Sequence, residues 1–191
     1  MLLAYRDQGD GLAFEELTHR YERELYSYLR RYLGSAPMAE DAFQQTFLQV
    51  HLKCGQYEAG RSVRPWLYTI ATNQAIDSQR RNRRHRMASL DRNMGGPSEV
   101  EGGSLVDVQI HPDPAPAELF ESEEQRQLVR DALQKLPEPL VQVVMLVYYQ
   151  GLKYRETADV LAIPVGTVKS RLHAAILKLN ELLSGTILRN E

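Results

Sequence analysis

The chain has 191 residues, 43% hydrophobic and 25% charged, a make-up that excludes a wholly disordered or membrane-embedded protein. Its net charge of −2 conceals a segregation: residues 61–92 carry eight Lys and Arg against two Asp and Glu, whereas residues 93–138 carry three against ten. Local fields rather than net charge therefore carry the information, and the basic block points to an anionic partner.

Cys54 is the single cysteine, which excludes an internal disulfide and a cysteine-rich zinc site. His51 and Cys54 could share a helix face, but two ligands are too few for structural zinc, and neither metal nor cofactor is expected. The longest apolar run lies within Val143–Tyr149, short of the ~18 to 20 residues that cross a bilayer. Met1–Asp7 lacks the basic start and cleavage site of a signal peptide, so a cytoplasmic location without membrane insertion is expected.

In chain order, Leu12, Phe14, Leu17, Tyr21, Leu25, Tyr28, Leu29 and Leu33 recur at steps of three and four. That spacing predicts an amphipathic helix entered after Asp10-Gly11 and stopped by Gly34. A second helix starts near Ser35-Ala36-Pro37, with Pro37 tolerated in its first turn, and ends at Gly55. Its inward set is Ala39, Phe43, Phe47, Val50 and Cys54. Gln56 to Ser62 is a polar loop.

A third helix opens between Ser62 and Pro65, turns Trp66, Leu67, Ile70, Ala71, Ala75 and Ile76 inward, and ends in Arg80, Arg81, Arg83, Arg84 and Arg86. Arginines in a last turn suit the helix dipole. Two readings of this run stand side by side: a solvated charge run, or a set that neutralises phosphates. Tyr57, Arg61, Trp66 and Tyr68 add aromatics to the cations, the combination that holds unpaired bases. Trp66, a large ring at an inward position, fits the core better than it fits a base.

From Ser89 to Pro116, Gly95-Gly96-Pro97, Gly102-Gly103 and Pro112-Asp113-Pro114-Ala115-Pro116 break every period, which marks an acidic, flexible linker. Helices resume at Leu119–Leu136 and Pro139–Tyr149. Tyr154–Leu161 then reads as a short helix, Ala162-Ile163 as a tight turn, and Pro164–Thr167 as the start of a helix running to about Leu183. In that helix Val168, Leu172, Ile176 and Leu179 are expected to point inward, leaving Thr167, Lys169, Ser170, Arg171, His173 and Ala174 outside. A short, polar, basic helix start of this kind fits a helix-turn-helix recognition helix in the major groove. Arg171 or Lys169 would read guanine edges or hold phosphates. No strand alternation and no internal repeat is present, so an all-α chain is expected.

Three segments then resemble one family, the extracytoplasmic-function sigma factors of bacterial RNA polymerase. Ala39-Glu40-Asp41-Ala42-Phe43-Gln44-Gln45-Thr46-Phe47-Leu48-Gln49-Val50 is similar to the family's segment that docks on the polymerase clamp helices. The stretch from Arg64-Pro65-Trp66-Leu67-Tyr68 to Asn73-Gln74-Ala75-Ile76-Asp77 resembles the helix that melts and reads the upstream edge of the bubble. Ile163-Pro164-Val165-Gly166-Thr167-Val168-Lys169-Ser170-Arg171-Leu172 resembles the recognition helix for the minus-thirty-five element. Three motifs in this order are far more specific than a helix-turn-helix alone.

The resemblance implies a non-enzymatic transcription initiation factor with two small helical domains. Residues 1–88 would bind core polymerase and the minus-ten element, 89–116 would link, and 117–191 would read the minus-thirty-five element. It implies that Asp41, Gln44, Phe47 and Val50 touch core RNA polymerase. Tyr57, Arg61, Trp66, Tyr68, Asn73, Arg80, Arg81, Arg83 and Arg84 would meet minus-ten DNA, and Thr167, Lys169, Ser170, Arg171 and His173 minus-thirty-five DNA. Double-stranded and locally melted promoter DNA would be partners, and an anti-sigma factor is implied by resemblance alone. Gln45 stands where the family often has glutamate, His51 where tryptophan is common, and Ala174 where arginine is usual, which removes one DNA contact. Thr157 replaces an apolar residue of the first motif helix. Two rival classes remain at this level: a free-standing DNA-binding regulator and a helical protein-interaction module. An enzyme fits worse, since the chain has no phosphate loop, zinc signature or nucleophile elbow.

Overall fold

The computed structural model describes residues 1–92 and 123–187, with side chains described for 1–85 and 127–184. Among the described residues every regular element is a helix. The linker expected over 89–116 falls outside the described residues, except that the third expected helix continues through Ser89 to Arg92. Residues 119–122 and the side chain of Arg86 also lie outside them.

Helix α1 (Leu2–Gln8) was not expected; it buries Leu2 and ends on Gly9 in the left-handed region. Seven residues with one buried side chain leave too little periodicity to recognise. Helix α2 (Gly11–Leu33) begins where Asp10 caps it, its carboxylate accepting from the backbone N–H of Leu12 at 3.0 Å and of Ala13 at 3.2 Å. It ends on Gly34, whose φ of 68° suits a residue without Cβ. Helix α3 (Ala36–Lys53) carries Pro37 in its first turn and passes into a 3-10 turn at Cys54–Gln56. Helix α4 (Val63–Arg92) packs along α3 and across α2.

In the C-terminal group, α5 (Glu123–Gln134) and α6 (Glu138–Val144) precede a single π turn, Met145–Tyr149. The wider turn re-aims the side chains of one continuous segment. Val143 and Val144 enter a second core with Leu133, Ala158, Val168 and Leu172, whereas Met145 and Leu146 enter the first core. Helix α7 (Tyr154–Leu161) and helix α8 (Val165–Ile187) meet at 101°, the geometry of a helix-turn-helix. Between them Ile163 N–H donates to Ala158 C=O and Ala162 N–H to Asp159 C=O, a Schellman motif in which Ala162 takes the left-handed conformation.

The two helical groups are not separate cores. Met145, Leu146, Leu152 and Val160 share one buried cluster with Leu25, Tyr28, Leu67 and Tyr68. The sequence-based expectation of Ile176 as an inward residue is corrected: Ile176 is exposed and Ala175 is fully buried in its place. At 3.6 residues per turn, position 175 lies about 20° around the helix from Val168 and position 176 about 80°. No single described helix is long and apolar enough to cross a membrane. The apolar faces of α7 and α8, bent against each other, supply Val160, Val168, Leu172 and Ala175 to the cores.

Candidate polymerase and nucleic-acid surfaces

On α3 the inward stripe is Ala39, Ala42, Thr46, Phe47 and Val50, all buried. Phe47 packs edge-on against Phe43 at 5.1 Å, and Val50 is 0% exposed. Phe47 and Val50 both pack α3 against its own bundle. The opposite stripe, at steps of three and four, is Asp41, Gln44, Leu48 and Leu52. Leu48 and Leu52 are 47% and 62% exposed, an apolar pair on an otherwise polar helix face. Both escaped notice in the sequence because they lie off the inward period, where leucine passes for an isolated surface residue.

Asp41 stands at the edge of this stripe, 3.9 Å from the guanidinium of Arg81 on α4, with both side chains more than half exposed. An ion pair so wet is worth at most about 1 kcal/mol, so either member is free to exchange its partner for a third molecule. Arg80, Arg81, Arg83 and Arg84 are all exposed. Arg80, Arg81 and Arg84 line an open groove with Gln74 and Asp77. Asn73, one turn before Asp77, is exposed too, so the outer part of α4 presents one polar and strongly basic face.

The aromatic half of this region is different. Tyr57 is 4% exposed, with its hydroxyl donating to the carbonyl of Arg61 and its own carbonyl accepting from Arg6 at 2.6 Å. Its ring lies 5.4 Å from that of Trp66, which is half-buried. Tyr68 is fully buried, 5.1 Å from the Tyr28 ring. The Tyr57 and Tyr68 rings are both covered, and each hydroxyl has a partner inside the protein. Arg61 is exposed and pairs with Glu58 at 2.7 Å.

The Tyr68 hydroxyl sits 2.7 Å from Glu24 and 2.6 Å from the side chain of Gln150. Burial pushes its pKa well above the usual tyrosine range, and the Glu24 charge adds to that, so it stays a neutral donor. Arg64 bonds Glu24 at 2.6 Å and the Gln150 carbonyl at 2.7 Å. Burial opposes the Arg64 charge, but the hydrogen bond and charge of Glu24 outweigh it and raise the pKa.

On α8, Lys169, Ser170, His173 and Ala174 are exposed, and Thr167 and Arg171 are half-buried. The Ser170 hydroxyl donates to the Thr167 carbonyl at 3.1 Å. Val168, Leu172 and Ala175 fix the opposite face in the second core. The basic end therefore projects from a helix whose roll is set by packing. On α7 the Glu156 carboxylate reaches back to the Lys153 N–H at 2.8 Å, which fixes the first turn. Among the described residues no group of three His, Cys, Asp or Glu is placed to hold a metal ion.

Comparison with known proteins fits this division. Family models of sigma-70 region 2 and sigma-70 region 4 match residues 17–85 and 126–179. The ECF RNA polymerase sigma factor SigW of Bacillus subtilis is 31% identical over 87% of this chain and 86% of its own. The ECF RNA polymerase sigma-E factor of Escherichia coli is 31% identical over 88% and 85%. Among solved structures, the sigma factor RpoE of Bartonella quintana, in complex with the anti-sigma factor NepR, has a TM-score of 0.66 at 24% identity. That match covers 90% of this chain and 97% of RpoE. CnrH, in complex with the cytosolic domain of CnrY, also scores 0.66, at 22% identity over 96% of each chain. On sequence relatives of this length and identity, the chain belongs to the ECF RNA polymerase sigma factors of the sigma-70 family.

Proposed function

We propose that this factor docks on core RNA polymerase through the outer stripe of α3 and meets promoter DNA through the outer end of α4 and the start of α8. The observation that carries the reading is the order and exposure of these three surfaces along one chain. Asp41 and Gln44, joined by Leu48 and Leu52, supply the polymerase contact. An exposed apolar pair beside a charge that is easily re-paired has the make-up of an interface centre with a polar rim. Arg61, Trp66, Asn73, Arg80, Arg81, Arg83 and Arg84 serve the minus-ten element, and Thr167, Lys169, Ser170, Arg171 and His173 the minus-thirty-five element. Dense arginines on α4 hold phosphates without regard to sequence, whereas Arg171 and Lys169 have the reach to read base edges.

The work is divided as 1–88 for polymerase and minus-ten DNA, 89–116 for connection, and 117–191 for minus-thirty-five DNA. Two modest DNA grips on one chain reinforce each other, because the second contact is made at high effective concentration once the first is formed. The protein acts in the cytoplasm beside the polymerase and needs no chemistry of its own. An anti-sigma factor completes the partners, supported by the structure of similar fold that was solved with the anti-sigma factor NepR.

Run-off transcription tests the reading. Core RNA polymerase plus this chain yields a promoter-dependent transcript that neither gives alone. A transcript level independent of the chain overturns it.

A further inference from the structure

Helix α1 adds little to the core, with Leu2 as its one buried residue, yet it reaches the loop that leads into α4. Its Arg6 guanidinium donates to the Tyr57 carbonyl at 2.6 Å. Asp7 holds the same guanidinium from Nε at 2.6 Å and from Nη2 at 3.0 Å. Three donors engaged at once leave that planar fork a single orientation. The Arg6 side chain is only 23% exposed.

The loop that Arg6 meets is closed on itself. The Tyr57 hydroxyl donates to the Arg61 carbonyl, the Arg61 N–H donates to the Glu58 carbonyl at 3.3 Å, and the Arg61 guanidinium pairs with Glu58 at 2.7 Å. Gly60 lies inside this turn at a φ of 90°, a conformation that residues with a Cβ seldom take. Residues 58–62 are all exposed, so the turn is held to the body at Tyr57. There the ring packs on Trp66 and the N–H donates to the Cys54 carbonyl at 3.1 Å, both within the stretch that enters and leaves the loop. The Arg6 bond comes instead from 51 residues away, on another element. A closed loop still pivots about its two chain ends. A third attachment from a separate element stops the pivot, and that is how a reading side chain is kept within about 0.5 Å of its place.

We infer that Arg6 is a positioning residue for minus-ten recognition: from α1 it locks the turn of residues 57–61 and so presents Arg61 at a fixed place beside the start of α4. This rests on the assignment of Arg61 to minus-ten DNA proposed above. The Arg6 charge is met by Asp7 and the Tyr57 carbonyl, so Arg6 acts through the loop and not by holding a phosphate.

Holoenzyme assembled from core RNA polymerase and the full chain tests this on a promoter that it transcribes, and on versions with single-base changes in the minus-ten or the minus-thirty-five element. The readout is the ratio of open-complex formation on parent and altered promoters. Arg6→Ala lowers the minus-ten ratio at least about fivefold, the worth of one well-placed base contact, and leaves the minus-thirty-five ratio and the salt slope unchanged. Arg6→Lys keeps one donor within reach of the Tyr57 carbonyl and restores most of the minus-ten ratio. Tyr57→Phe deletes only the hydroxyl that closes the turn and lowers the same ratio, and it decides the matter if Arg6→Ala loses helical circular dichroism. An unchanged minus-ten ratio in the folded variants overturns the inference, and so does an equal fall in both ratios, which marks a general loss of fold. A salt slope lowered by about 0.9 in Arg6→Ala overturns it too, because it assigns Arg6 a phosphate of its own. A wild-type holoenzyme indifferent to changes in the minus-ten element falls instead on the functional reading, which separates the two.

Discussion

Thr157 shows how much a single atom costs in this protein. Its side chain is fully buried on α7, and its hydroxyl has no hydrogen-bond partner among the described residues. Thr157→Val keeps the shape and removes the orphan donor, and is expected to stabilise by about 1 to 2 kcal/mol. Thermal unfolding should show the midpoint rising by roughly 2 to 6 °C, and an unchanged or lower midpoint refutes the assignment. The residues proposed to meet DNA divide by kind. Arg84→Ala is expected to weaken DNA binding equally on all sequences and to lower the salt slope of log affinity by about 0.9. Arg171→Ala is expected to cost about 1 to 3 kcal/mol on the preferred minus-thirty-five sequence and to relax discrimination there. Salt titrations on matched and scrambled duplexes separate the two, and identical profiles for both variants contradict the division.

At the scale of the element, α3 has a buried face and an exposed face, to which the proposed function gives separate duties. Leu48→Ser with Leu52→Ser should weaken core-polymerase binding by at least about tenfold, in keeping with truncation of interface anchors. The unfolding midpoint should stay where it is, because both side chains already stand in water. Val50→Ala should do the reverse, costing about 2 kcal/mol of stability with polymerase affinity intact in the folded protein. Equal losses of binding from both would put the contact on the wrong face. The same helix shows what was legible in the sequence. Periodicity turned Phe47 and Val50 inward, and the structure buries both. Caps and stops were equally plain, since Asp10, Gly34 and Pro37 act through local bonds and dihedral limits. Ala175 was missed because a larger neighbour, Ile176, drew the assignment, although the small residue is what sits on the seam.

At the scale of the whole molecule, the order of amphipathic α3, basic-ended α4 and helix-turn-helix could be read from the sequence. The closure of the two halves could not. Glu24, Arg64, Tyr68 and Gln150 come from segments dozens of residues apart, and each looks like an ordinary surface or aromatic residue on its own helix. Hydrophobic period reports which face is inward but not which element it meets. That is why the bonds from the Tyr68 hydroxyl to Glu24 and Gln150 could not be foreseen. The two modest grips proposed for α4 and α8 predict a factor that recognises promoters only as part of the polymerase. Promoter-DNA affinity of the chain, with and without core RNA polymerase and on matched and scrambled sequences, tests this most directly. The account predicts little sequence preference for the chain alone and clear preference once core enzyme is added, whereas tight, sequence-specific binding that is indifferent to core enzyme would contradict it.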